Sequence, residues 1–223
     1  MKDLYQRIEK LSKYYNQFFT FELVCNSQFA YNENIDDIDV TYNINIPYSE
    51  CISITKIEGD DKFNHLSLKN SSDIILISKN IDGYKLDIIE MKSSITDSNI
   101  NKLSSQLING YLRVMTVLSP LHLYINKIDL YVSFYDDSDL TNNLLNLPDN
   151  KQKVMKYAID NWKQSQIYLK NAIPNNFFNS NKLNIIKLKY DDYRINNNEA
   201  IIYILIDIIK NITPTQLFYI CYF

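Results

Sequence analysis

The strongest constraint on the fold lies between residues 73 and 92, where two apolar runs, DIILISK and YKLDIIEMK, flank the tetrapeptide Asn80-Ile81-Asp82-Gly83. Asp-Gly is a hairpin signal, because glycine takes a positive φ without penalty and aspartate tolerates one. The two runs are therefore expected to pair as antiparallel strands. A turn centred on Asp82 and Gly83 sets Asp73 across from position 92 or close to it. Side chains alternate along a strand, so Leu86, Ile88, Glu90 and Lys92 share one face while Asp87, Ile89 and Met91 share the other. The stretch IIEM is apolar on both faces, as in an interior strand covered on both sides. Charged groups are rarely buried unless they are paired or bind a metal, and yet Glu90 and Lys92 end this run. Asp87, on the opposite face, is expected to meet solvent or a cap.

The remaining patterns place this hairpin in an α/β domain. Leu4, Ile8, Leu11, Tyr15 and Phe18 recur at spacings of three and four, which predicts an amphipathic helix over 3–19 that covers a sheet. Short β-rich pieces follow, FELVC, DVTYNINI and CISITKI, separated by the polar turns NENIDD and EGDDKFN. Beyond the hairpin, SSITDSN offers N-caps for a helix over 99–118, and Pro120 ends it. INKIDLYVSFY reads as a strand, 152–171 as a helix containing Trp162, KLNIIKLKYDDY as a strand and 198–212 as a last helix. The expected fold is α/β, a mixed central sheet flanked by helices, with a core over 1–135 and a C-terminal α/β extension over 136–223 packed on the same domain.

The 223 residues, 46% hydrophobic, suffice to bury a substantial core. A formal net charge of −3 provides no global basic field for nucleic acid, so binding would rest on a local patch or a partner. Cys25, Cys51 and Cys221 are three and widely spaced, neither a disulfide framework nor a zinc pattern, which suits a reducing, cytoplasmic setting. The charged N-terminal pattern is not a signal peptide, and Asp207, Lys210, Asn211 and Pro214 interrupt the apolar C-terminal run, so no membrane span is expected. Three glycines, none in a phosphate-cradling spacing, exclude P-loop, kinase and Rossmann readings. Two histidines, His65 and His122, and no GxSxG elbow leave a serine hydrolase without support. Asp60-Asp61-Lys62 and the acids Asp136, Asp137 and Asp139 lie in polar surroundings and read as turns.

At the end of the hairpin, Asp73, Glu90 and Lys92 can meet. Two close carboxylates repel unless a cation lies between them, and Mg²⁺ (or Mn²⁺) prefers one or two carboxylates with water. A lysine beside such an ion can orient a water or stabilise a developing phosphorane. This chemistry suits phosphodiester hydrolysis.

With Ser72-Asp73 on one strand and Glu90-Met91-Lys92 on the next, followed by a helix and a strand, the sequence resembles the PD-(D/E)xK, or restriction-endonuclease-like, nuclease superfamily over residues 1–135. Ser72 replaces the family's proline. The resemblance implies that Asp73, Glu90 and the Met91 backbone carbonyl bind the metal and that Lys92 assists the nucleophile. It further implies that Gln106 on the following helix joins the site. Tyr111 is one position too far from Gln106 to match the family's tyrosine. A helical acid, Glu9 or alternatively Glu22, completes the implied set. The implied function is a nuclease of restriction, mobile-element or antiviral systems, with DNA as partner and room for a protein partner or a homodimer. Lys69, Lys79, Lys102 and Arg113 are candidate phosphate contacts, because such contacts come mainly from Lys and Arg. The alternative is a non-catalytic interaction module on the same fold, using its tyrosines and apolar C-terminus as an interface.

Overall fold

The computed structural model describes residues 1–15, 19–25, 27–35, 38–56, 70–142, 149–168, 182–190, 193–196 and 199–205. It begins with helix α1, Lys2–Tyr15, followed by strands β1 (Thr20–Cys25), β2 (Gln28–Ile35), β3 (Ile38–Asn45), β4 (Glu50–Thr55), β5 (Ile74–Asn80) and β6 (Gly83–Ser94). Helix α2 (Ile100–Leu118) and strand β7 (Ile125–Asp136) come next, then short α3 (Asp139–Asn142), α4 (Asp149–Lys163), β8 (Gln166–Tyr168), β9 (Lys182–Asn184), β10 (Ile186–Lys189), β11 (Tyr193–Asn196) and β12 (Glu199–Leu205).

Six strands form a mixed central sheet in the order β1-β4-β5-β6-β7-β10. β1, β4, β5 and β6 run antiparallel to their neighbours, whereas β6, β7 and β10 are parallel, with α2 as the crossover from β6 to β7. A second, four-stranded sheet has the order β11-β12-β3-β2, and β8 pairs with β9. The central sheet is therefore buried on both faces. Leu86 and Ile88 of β6 pack with Leu4 and Ile8 of α1, Leu103 and Leu107 of α2 and Ile159 and Trp162 of α4. Ile89 and Met91 point the other way, against Val40, Tyr42 and Ile44 of β3. This double cover explains the apolar run on both faces of β6. Among the described residues, no helix is long and apolar enough to cross a membrane.

The C-terminal segments interleave with the rest, since β10 extends the central sheet beside β7 and β12 pairs with β3. Several local readings are corrected. Residues 199–205 are a strand rather than part of a helix, because a continuous apolar run fits either and pairing with β3 decides it. NENI belongs to β2 rather than to a turn, its backbone bonds satisfied by β3. KLNIIKLK divides into β9 and β10 in different sheets, and the helix read over 152–171 occupies 149–163. The remainder of the predicted last helix and the apolar terminus lie outside the described residues, as do His65 and the Asp60-Asp61-Lys62 tripeptide.

Candidate active site

The β5–β6 hairpin turns on Ile81 and Asp82, with Asn80 already paired to Gly83. Neither Ile81 nor Asp82 takes a positive φ; Gly83 does, and a Cβ there would stand 2.6 Å from the Tyr124 carbonyl oxygen. The turn is thus centred one residue earlier than the Asp-Gly signal implies. Ile74 pairs with Ile89, so Asp73 stands across from Glu90 rather than from position 92.

Asp73 occupies the bend immediately before β5. Its backbone N–H donates to the Ile89 carbonyl at 3.1 Å, and its Oδ2 accepts the Met91 N–H at 2.7 Å. The Met91 group that touches Asp73 is therefore its amide. The Tyr42 phenol on β3 is raised above its ordinary range, first by burial and then by Tyr190, Glu33 and Asp73, which places the Asp73 charge within electrostatic reach of the four-stranded sheet. Glu90 continues the face of Leu86 and Ile88 and is fully buried. The Lys92 Nζ contacts Glu90 Oε1 directly, supplying the opposite charge that a buried carboxylate needs.

The chain leading into Asp73 is held by α2. Asn109 Nδ2 donates to the Asn70 carbonyl at 2.7 Å. Gly110 lets Ser72 approach so closely that a Cβ at position 110 would lie 2.0 Å from Ser72 Oγ. One helical turn earlier, Gln106 is only 8% exposed, and its Oε1 has no hydrogen-bond partner among the described residues. The loop between β6 and α2 is pinned by Asn99, whose Nδ2 donates to the Ser94 carbonyl at 2.8 Å and whose Oδ1 accepts the Thr96 N–H at 2.9 Å. Asn99 occupies the N-cap of α2 without making a side-chain cap bond.

The candidate phosphate contacts separate. Lys102 is exposed in the first turn of α2, near the end of β6. Lys79 is exposed but stands six residues along β5 from Asp73, about 20 Å away in an extended strand. Arg113 is wholly buried, on the same helix face as Gln106 and Gly110, so it does not meet a phosphate at the surface. Lys69 lies outside the described residues. Glu9 is exposed on α1; Glu22 is exposed on β1, where it shares the face of Val24, turned from the helices, while Phe21 and Leu23 pack on the helical side. Among the described residues, no group of three or more His, Cys, Asp or Glu side chains gathers to hold a metal. His122 is an exposed helix-end residue with φ of 49°. The acids after β7 are local: both Asp136 carboxylate oxygens accept from Ser138, and Asp137 Oδ2 accepts the Trp162 Nε1–H at 2.9 Å.

A second set of charges, of which the sequence singled out only Asp87, lies on the opposite face of β6. Asp87 is fully buried rather than solvent-facing. Lys85 Nζ lies 2.7 Å from Asp87 Oδ1, 2.8 Å from Asp129 Oδ2 and 2.7 Å from the Tyr48 hydroxyl, which itself donates to Asp87 Oδ2 at 2.9 Å. Lys127 adds a contact of 3.0 Å to Asp129. Burial alone would lower the Lys85 pKa, but Asp87, Tyr131 and the hydrogen bonds to Asp129 and Asp87 together outweigh it and hold the ammonium well above its ordinary value. Burial, and then Asp87, push the Tyr48 phenol and the Cys51 thiol each up to about 12. The legible signal was the Lys-x-Asp alternation inside an apolar strand, opposite charges on one face two residues apart.

No protein-family model, curated protein or solved structure matches this chain.

Proposed function

We propose that the protein is a metal-dependent phosphodiesterase that cuts nucleic acid, DNA in preference to RNA, on a restriction-endonuclease-like core made of α1, β1, β4, β5, β6, α2 and β7. The observation that carries this reading is the β5–β6 register, which sets Asp73 across from Glu90, together with the Lys92 contact to Glu90. The donor set fits a hard divalent ion: Asp73, Glu90 and the Met91 carbonyl offer only oxygen, and Mg²⁺ uses few protein ligands and keeps several waters. The buried Gln106 Oε1 adds a further oxygen on the adjacent helix. When bound, the ion would polarise a phosphoryl oxygen and lower the pKa of a water.

The chain's own groups carry the remaining work. Asp73 accepts the Met91 N–H, so its carboxylate is pre-oriented rather than mobile. Lys92, with a side chain 21% exposed, reaches solvent while touching Glu90, and it offers a charged donor to the scissile phosphate or to the attacking water. Exposed Lys102 stands ready for a neighbouring phosphate. Restriction, mobile-element or antiviral defence is the setting that suits such chemistry.

The direct Lys92–Glu90 contact favours a second reading, in which these groups form a structural ion pair and the fold serves as an interaction module. Plasmid and linear DNA incubated with Mg²⁺, Mn²⁺ or EDTA separate the two. The nuclease reading predicts cutting by the wild type with metal only and its loss in Glu90→Ala and Lys92→Ala. Cutting that survives in both variants, or none in the wild type, supports the structural pair.

A further inference from the structure

The carboxyl ends of three parallel strands lie side by side at the edge that holds Lys92, which pairs with Phe134 of β7, itself paired with Lys189 of β10. Ligands of open α/β sheets bind at such ends. Here the chain changes abruptly from core to surface: Tyr131, Val132, Ser133 and Phe134 are buried, and Tyr135 is 47% exposed. Two other tyrosines are exposed among the described residues, and both lie elsewhere. Tyr124 is beside Gly83 at the hairpin end of the sheet, and Tyr157 is on α4 with Lys182 over its ring.

Tyr135 is also tied to the site. Its ring centroid is 5.9 Å from that of Tyr190, at 37° between the ring planes. Tyr190 is 4% exposed, donates its N–H to the Phe134 carbonyl at 3.0 Å and donates its hydroxyl to the Lys92 carbonyl at 3.1 Å. An exposed aromatic ring, on the sheet face of Ile89 and Met91 rather than that of the Lys92 side chain, thus backs onto a buried one bonded to the Lys92 backbone at the strand ends. The charge around it is mixed: Lys189 is exposed, but Asp136 follows Tyr135 directly. With a net charge of −3 on the chain, no global positive field draws a strand to this edge. Stacking requires no positive field, and every base has a face to stack.

We infer that Tyr135 is a nucleobase-stacking platform, so that the strand entering this site carries at least one unpaired base, as in single-stranded DNA, a frayed end or a flap. The inference rests on the nuclease reading for the identity of the ligand, and it is tested by binding alone. Fluorescence anisotropy in EDTA compares a labelled single-stranded oligonucleotide with a blunt duplex of the same sequence, for wild type, Tyr135→Ala and Tyr135→Phe, with circular dichroism melting as the folding control. The expected result is tighter binding of the single strand by the wild type. Tyr135→Ala should weaken it about tenfold, the scale of losing one base stack, with the melting temperature unchanged. Tyr135→Phe, which keeps the ring, should bind like the wild type. Equal affinity of Tyr135→Ala and wild type, equal affinity for single strand and duplex, or no binding by the wild type overturns the inference. Ring-dependent binding without any cutting in Mg²⁺ leaves the platform standing and removes the nuclease reading.

Discussion

Replacing Lys85 with methionine removes the only ammonium within bonding distance of Asp87 among the described contacts. Asp87 is wholly buried, and the variant leaves it with the Tyr48 hydroxyl, at 2.9 Å, as its remaining donor among the described residues. Asp129 suffers less, being 18% exposed and 3.0 Å from Lys127. Deleting one partner of a buried pair costs about 3–5 kcal/mol, a large share of the roughly 5–15 kcal/mol that holds a typical domain together. Trp162, the single tryptophan and 2% exposed, reports unfolding by fluorescence. In urea the midpoint should fall by roughly 1–3 M at an unchanged slope. The sign of the pH dependence follows from burial. Burial already holds the Asp87 carboxyl above its ordinary value although Lys85 lowers it in part; without the ammonium it rises further, so the folded variant binds more protons and loses more stability than the wild type as pH climbs from the acid range towards neutrality. The deficit against wild type should therefore shrink as pH falls into the acid range, where Asp87 is protonated in both folded proteins. Lys85→Met/Asp87→Leu should recover most of the loss, because an apolar pair of similar volume often replaces a buried ion pair without cost. A loss under about 1 kcal/mol in the single variant, or a double variant no better than the single, would show that the cluster is not the closed network described.

Gly110→Ala forces a methyl to within 2.0 Å of Ser72 Oγ and should cost about 1–3 kcal/mol by thermal melting, with Ser72→Ala partly restoring it. If the contact positions Asp73, the same variant also weakens Mn²⁺ affinity beyond what Asn101→Ala, on the exposed face of α2, produces. Cys51, unfolded near 9.0 and held up to about 12 in the fold, keeps its proton where the unfolded chain has lost it. Stability should accordingly fall as pH rises from about 9 towards 12, and Cys51→Ala should flatten that fall in an alkaline urea series. Unchanged alkaline slopes would refute the buried thiol.

The hairpin, α2 and β7 were legible because their patterns are local: two apolar runs about a turn, a stripe at spacings of three and four, and a strand ending in aromatics. The register was missed by two positions because Asp-Gly marks a turn without stating which two residues are its centre, and Asn80–Gly83 pairing moves the centre to Ile81-Asp82. β12 was read as helix because EAIIYIL has no period to choose by, and only its parallel pairing with β3 makes it a strand. In the candidate site, the proximity of Glu90 and Lys92 followed from alternation alone. The burial of Asp87 and Arg113 did not, since it depends on the four-stranded sheet and on the packed face of α2, which no local pattern reports.

The proposed chemistry turns on one divalent ion held by Asp73 and Glu90 beside Lys92, which Mn²⁺ titration followed by electron paramagnetic resonance detects. One bound Mn²⁺ per chain is expected in the wild type, displaced by Mg²⁺ and weakened at least tenfold in both Asp73→Asn and Glu90→Gln, each about 1.4 kcal/mol or more of binding energy. Mn²⁺ bound equally by the wild type and both variants, or by none of them, would contradict it.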